Sequence, residues 1–145
     1  KENNIMIKKT ITYTDYNGVS RTEDFWFNLT TAELMKMELG TRGGFSEMIT
    51  RIVQANDVPT MMKVFDDFIR KSYGQKSPDG KRFIKSEAIT EEFCQTEAYS
   101  NLFMEFITDT DKAIEFMNGI VPTEISKKAN LVNQKSLMDG ANTNN

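Results

Sequence analysis

The 145-residue chain contains no histidine and only one cysteine, Cys94. Histidine is the commonest general base and the commonest metal ligand, so its absence removes both of these roles from the chain. A single thiol cannot form a disulfide within the chain, and no histidine is present to activate it as a nucleophile. We therefore expect a protein of a reducing cytoplasm that is not an enzyme, with no catalytic residue, metal or cofactor, and with Cys94 as a small core residue.

Long apolar runs and a basic charge balance are also missing. The longest apolar run is far too short to span a bilayer, and the first residues lack the apolar segment of a signal peptide. The net charge of −3 argues against general binding to nucleic acid, which favours basic chains. A chain of this length is expected to form one soluble domain with a substantial core.

Methionine, by contrast, is unusually frequent, with nine residues. The flexible and polarisable thioether suits adaptable binding surfaces, and it also fills irregular gaps in a core. The sequence does not separate these two roles for any single methionine. We favour the core interpretation for most of them.

The first part of the chain predicts a β-hairpin. Residues 7–14 and 19–27 are rich in β-branched and aromatic side chains with a period of two, which is typical of half-buried strands. A two-residue Asn-Gly turn is one way to join them. A three-residue loop with Gly18 in the left-handed conformation pairs Ile7 with Phe27 instead and keeps the apolar residues on one face, so we favour this register.

Helical patterns follow the hairpin. Thr30 and Glu33 have the spacing of a capping box, and Pro59 suits a first helical turn. Gly74 is expected to end a helix in the left-handed conformation, and Pro78-Asp79-Gly80 to form a β-turn. The predicted helices cover residues 30–39, 45–53, 59–73, 86–107 (as one helix or two) and 109–120.

The predicted fold class is therefore α+β, with an N-terminal β-hairpin followed by a bundle of about five or six short helices and a flexible C-terminal tail. The domain boundary is predicted at Pro122, which gives a domain of residues 1–122 and a polar tail of residues 123–145. The tail has five asparagines, no aromatic residue and no sustained apolar period.

One loop carries a basic patch in which only Asp79 opposes the positive charges. Its members are Arg70, Lys71, Lys76, Lys81, Arg82 and Lys85. One interpretation of this patch is a solvated loop without a binding role. The more specific interpretation is a contact with an acidic partner or with nucleic acid. A small regulatory or nucleic-acid-associated protein that uses this 70–85 loop is therefore the alternative function.

Several short motifs occur in a specific order along the chain. They are K-S-Y-G at Lys71–Gly74, S-P-D-G-K-R-F-I-K-S at Ser77–Ser86, F-C-Q-T-E-A-Y-S-N-L-F-M-E at Phe93–Glu105 and F-M-N-G-I-V-P at Phe116–Pro122. Together with the opening residues Met6–Gly18, this series resembles the tail assembly chaperone family of long-tailed, siphovirus-type bacteriophages. The likeness spans Met6 to Pro122.

The resemblance implies a protein that binds the long helical tape measure protein, keeps it soluble, and leaves as tail tube subunits polymerise. A frameshifted longer form would recruit the tail tube protein. It also implies weak self-association, no membrane or nucleic-acid partner, a location in the host cell cytoplasm and absence from the mature virion. The candidate partner-binding residues are Trp26, Met35, Arg70, Lys71, Lys81, Arg82, Tyr99 and Phe103. Trp26 lies on the opposite face of the hairpin from Phe25 and Phe27, where it is either covered by a helix or exposed as an aromatic anchor.

Overall fold

The computed structural model describes residues 6–121, within which the chain forms one four-stranded antiparallel sheet and six helices. The elements are β1 (Ile7–Thr14), β2 (Ser20–Phe27), α1 (Thr31–Leu39), α2 (Phe45–Gln54), α3 (Val58–Ser72), β3 (Tyr73–Lys76), β4 (Phe83–Ile84), α4 (Glu87–Cys94), α5 (Glu97–Thr108) and α6 (Thr110–Ile120). The strand order is β1-β2-β3-β4. The predicted α+β class is confirmed, whereas the predicted tail of residues 123–145 lies outside the described residues.

The hairpin has the register that the apolar pattern favours. Ile7 lies opposite Phe27, and the Asp15 N–H donates to the Val19 carbonyl at 2.8 Å, so the loop contains three residues. Gly18 ends this loop with φ of 81°, in the left-handed region that glycine adopts without a steric cost. The predicted three-residue loop is therefore confirmed.

Gly74, in contrast, does not end a helix in the left-handed conformation, and this prediction is wrong. The chain leaves α3 through Tyr73, which has extended backbone angles, and enters β3 directly. Gly74 lies opposite Trp26, and a Cβ at this position would come within 2.6 Å of the Phe83 ring and 2.8 Å of the Ile84 carbonyl oxygen. Glycine is needed here because two strands and an aromatic ring approach the backbone closely.

The β3–β4 connection enlarges the predicted hairpin into a sheet. Ser77 to Gly80 form the predicted β-turn, in which the Gly80 N–H donates to the Ser77 carbonyl at 2.9 Å. The turn returns the chain so that Ile84 pairs with Gln75 and Phe83 with Lys76. A two-residue strand inside a basic loop shows no periodicity, which explains why the sequence did not reveal it.

Side-chain caps set the beginnings of all the helices within residues 6–121 except α2, whose N-cap is Gly44. The Thr30 hydroxyl accepts from the Glu33 N–H at 3.1 Å, and the Glu33 carboxylate accepts from the Thr30 N–H at 2.8 Å, so the capping box is confirmed. Ser86, Thr96 and Asp109 cap the last three helices. Since Thr96 begins a new helix, residues 86–107 form two helices rather than one.

The core lies between the inner face of the sheet and the helices, and aromatic rings fill much of it. Phe27 meets Phe116 edge to face at 5.2 Å between ring centroids, and Phe65 meets Phe106 in the same way at 6.3 Å. Phe27, Phe65 and Phe106 are almost completely buried. Such pairs add to the burial of their apolar area, so these rings fix the helices against the sheet.

The methionines divide between this core and its edges. Met61 and Met117 are buried, so the core interpretation holds for these two. Met35, Met37 and Met48 are half-buried and pack on the outside of the core. Met62 and Met104 are exposed, which leaves methionine side chains on several parts of the described surface.

Candidate partner-binding site

Two neighbouring cavities form a groove beside α1 and α3, which we call the α1–α3 groove. The larger cavity has a volume of about 530 Å³ and the smaller about 260 Å³. Both are lined by Lys36, Met37 and Lys71, so the cavities meet at these three residues. The other apolar lining residues are Leu29 in the larger cavity and Phe45, Met48, Val64 and Phe68 in the smaller one.

Helix α1 supplies one wall of the groove because it is apolar on more than one side. Leu34 is buried in the core, whereas Met37, three residues later, is half-buried and lines both cavities. The buried Glu38 carboxylate accepts from the Phe45 N–H at 3.0 Å, which ties the end of α1 to the first turn of α2. Met37 and Phe45 both line the smaller cavity.

Two of the cationic groups around the larger cavity are held in ion pairs. The Lys85 ammonium lies 2.9 Å from the Glu33 carboxylate, and Arg70 donates to both oxygens of Asp66 at 3.0 and 3.1 Å. Burial alone would raise the pKa of Glu33, but the Thr30 N–H and the Lys85 ammonium outweigh it and hold this pKa below its ordinary value. These pairs neutralise most of the charge at that end of the groove.

Lys36 and Lys71 differ from Lys85 and Arg70 in that no ion pair within residues 6–121 holds them. Both side chains are exposed, and neither forms a hydrogen bond or an ion pair with any other residue in the range 6–121. Asp67, which lines the smaller cavity together with them, is 3.4 Å from the Lys63 ammonium. The point where the two cavities meet therefore carries two uncompensated positive charges, one from α1 and one from α3.

The structure brings together only some of the predicted site residues. Arg70 and Lys71 line the groove, whereas Lys81 and Arg82 lie exposed on the β3–β4 connection and do not. Met35 is half-buried against the core and is also absent from the groove lining. The sequence did not single out Lys36, Met37 or Met48, although the apolar residues on several sides of α1 were a signal for Met37.

Tyr99 and Phe103 lie on α5, where they stack with ring centroids 6.0 Å apart. The Tyr99 hydroxyl donates to Asp66, and burial together with this bond raises the pKa of Tyr99 above its ordinary value. Both residues are half-buried, and the buried centre of α5 is formed by Leu102 and Phe106 instead. Phe103 therefore lies beside the buried residues of α5 and not among them.

Trp26 lies on the face of the sheet opposite the core. It is half-buried and stays outside the core cluster, to which its neighbours Phe25 and Phe27 belong. The ammonium groups of Lys76 and Lys8 lie 4.5 and 5.8 Å from the centroid of its ring, within cation–π distance. An amphipathic ring between two cations gives this outer face a second candidate contact for a partner.

Residues 6–121 offer little that fits a reactive thiol, a metal site or a membrane span. Cys94 is half-buried against the core, and burial raises the pKa of its thiol, which disfavours the reactive thiolate. Residues 6–121 contain no group of three histidine, cysteine or acidic side chains placed to hold a metal ion. None of the helices in this range is long and apolar enough to cross a membrane.

A family model described as a phage tail assembly chaperone matches residues 6–144. The match covers nearly the whole chain and continues past Pro122, where the likeness seen in the short motifs ended. A domain boundary at Pro122 stays a prediction. No curated protein and no solved structure gives a significant match to the chain.

Proposed function

Since the chain belongs to the phage tail assembly chaperone family, we propose that it binds the tape measure protein and keeps it soluble until tail tube subunits polymerise around it. A long helix with an apolar stripe exposes a surface that self-associates unless another protein covers it. Many copies of a small chaperone can cover such a surface through repeated weak contacts. Tail tube recruitment by a frameshifted longer form, weak self-association, a location in the host cell cytoplasm and absence from the mature virion are parts of the same proposal.

The α1–α3 groove is the observation that carries this proposal. Amphipathic helices commonly bind with their apolar face in a hydrophobic groove, and the two cavities offer room for several side chains. The groove is lined by Leu29, Met37 and Met48, of which the two methionines are flexible and polarisable. Methionine adapts to side chains of different shape, which suits a chaperone that meets many non-identical segments of one long partner.

Co-expression with the tape measure protein tests the proposal. We expect the two proteins to co-purify, with a number of chaperone copies that increases with the length of the tape measure fragment. Replacing Met37 and Met48 together by Asp should abolish co-purification, because two carboxylates would be placed in the groove. Met104→Asp is a matched control, since Met104 is 50% exposed and lies outside the groove lining.

Three outcomes would contradict the proposal. The first is a tape measure protein that stays soluble without the chaperone and does not co-purify with it. The second is one bound copy regardless of fragment length. The third is equal loss of binding in the groove variant and in the Met104 control, which would show that the effect is not specific to the groove.

The alternative of a nucleic-acid-associated protein receives less support from the geometry. Of the six basic residues in the 70–85 patch, Arg70 and Lys85 are held in ion pairs within the domain. Titration with duplex DNA at low salt tests this alternative. An affinity that falls steeply as salt is added would favour it over the chaperone function.

A further inference from the structure

We propose that the α1–α3 groove selects partner helices in which an acidic residue lies between two apolar anchors on the same face. The acid would sit between Lys36 and Lys71, and the anchors would enter the two cavities on either side. This inference rests on the proposed function, because it names the chemistry of the tape measure segments that the groove would bind.

The first argument is the order of features along the groove. Lys36, Met37 and Lys71 line both cavities, so they mark the point at which one cavity passes into the other. Beyond this point, Leu29 lies in the larger cavity and Met48 in the smaller one. The rest of the larger cavity is lined by polar and charged groups, so a bound helix meets a single apolar contact at Leu29, then the two lysines, then the apolar side chains of the smaller cavity.

The second argument is that these two lysines lack partners among residues 6–121. The neighbouring cations are compensated, since Lys85 pairs with Glu33 and Arg70 with Asp66 and Glu91. A helix that covers the groove would remove water from Lys36 and Lys71 and leave their charges uncompensated unless it brings a carboxylate. A basic residue at that position would be repelled, so the lysines discriminate as well as attract.

The charges also argue against two other occupants. Residues 122–145 of this chain contain Lys127, Lys128 and Lys135 against Glu124 and Asp139, so three positive and two negative charges leave a net charge of +1, which does not complement the lysines. A nucleic acid would bring its phosphates close to Glu33 and Asp67 in the groove lining and would cover apolar side chains that it cannot use. An acidic amphipathic helix satisfies both the charge and the apolar surface.

Binding of designed peptides to the full chain tests the inference. Three labelled helical peptides would share one apolar stripe and differ only in the central residue of that face, which is Glu, Gln or Lys. Fluorescence anisotropy should give the tightest binding for the Glu peptide, with on the order of tenfold weaker binding for the Lys peptide. The variant that carries both Lys36→Glu and Lys71→Glu should reverse this order.

Matched controls separate selectivity from general electrostatics. The variant with Lys81→Glu and Arg82→Glu has the same change in net charge, but both residues lie outside the groove lining, so the Glu peptide should remain the preferred one. The variant with Lys36→Gln and Lys71→Gln removes the charges without reversing them, and it should bind the three peptides about equally. Unchanged thermal unfolding of each variant would show that the fold is retained.

Several results would overturn the inference. These are equal binding of the three peptides by the unmodified chain, an order unaffected by the Lys36 and Lys71 variants, and displacement of the Glu peptide by duplex DNA. If the tape measure protein co-purifies but is insensitive to the Lys36 and Lys71 variants, the proposed function stands and this inference fails. If the peptide order is as expected but the tape measure protein does not bind, the inference about the groove stands and the proposed function fails.

Discussion

The core and the α1–α3 groove both contain apolar side chains, and α3 contributes to both, yet the groove also carries charged residues. In the core, Phe65 of α3 is 1% exposed and meets Phe106 edge to face. One residue earlier, Val64 is half-buried and lines the groove. Aromatic rings that pack against one another dominate the first region, whereas the groove combines two of those rings, Phe45 and Phe68, with half-buried methionines and charged side chains.

Under the proposed function, this difference would separate folding from binding within one short sequence. A closely packed aromatic core has little freedom to rearrange, so it fixes the positions of the helices. Methionine side chains keep several rotatable bonds and can repack around a partner without moving the backbone. Helix α1 makes the division within a single element, because Leu34 packs inward while Met37 lines the groove.

The largest expected effect on stability comes from the core. Phe106→Ala removes a ring that is 1% exposed and should lower the free energy of unfolding by about 3–5 kcal/mol. Phe103→Ala should cost clearly less, because Phe103 is only half-buried. Urea unfolding of both variants measures the difference, and equal losses would contradict the division between buried and half-buried rings on α5.

A smaller effect on stability is expected at Glu33, which lines the groove and also belongs to the capping box of α1. Because the folded-state pKa of Glu33 is lowered, its ionised form stabilises the domain at pH values above its ordinary value of 4.5, and this contribution is lost as the pH falls through the folded-state pKa. Glu33→Gln keeps an acceptor for the Thr30 N–H and removes the charge that pairs with Lys85, so it should lower the free energy of unfolding at pH 7 by up to about 1 kcal/mol, the upper end for a partly exposed ion pair. Thermal unfolding at several pH values measures this.

The comparison with the unmodified chain across pH supplies the control. The difference in melting temperature between Glu33→Gln and the unmodified chain should shrink as the pH falls below 4.5 and then through the lowered folded-state pKa of Glu33. A difference that stays constant from pH 7 to pH 3 would mean that the ion pair with Lys85 and the cap contribute nothing through the charge of Glu33.

The smallest effect on stability is expected outside both regions, at Trp26. Trp26→Ala should change the free energy of unfolding by about 0.2–1 kcal/mol, as for other cross-strand contacts. We expect it to reduce weak self-association, which light scattering over a concentration series would detect. If Trp26→Ala unfolds the protein, Trp26 is a structural residue. If the unmodified chain is strictly monomeric, there is no self-association for Trp26 to support.

Local signals in the sequence predicted much of the fold, and features that depend on distant residues were missed. The hairpin register follows from the alternation of residues 7–14 and from Gly18, and the helix beginnings follow from their caps. The close contact of Gly74 with Phe83 depends on a strand that has no periodicity of its own. The groove was harder still, because residues of four helices (α1 to α4) line it, and no pattern within α1 separates Met37 from Met35.

The most direct test of the groove as the binding site is an NMR experiment on the complex with a tape measure fragment, with the methionine methyl groups labelled with carbon-13. If the groove binds the fragment, the signals of Met37 and Met48 should shift or broaden on binding, while those of buried Met117 and exposed Met104 should stay in place. A shift of Met104, or of the indole signal of Trp26, with Met37 and Met48 unchanged would place the partner on another surface and contradict the account.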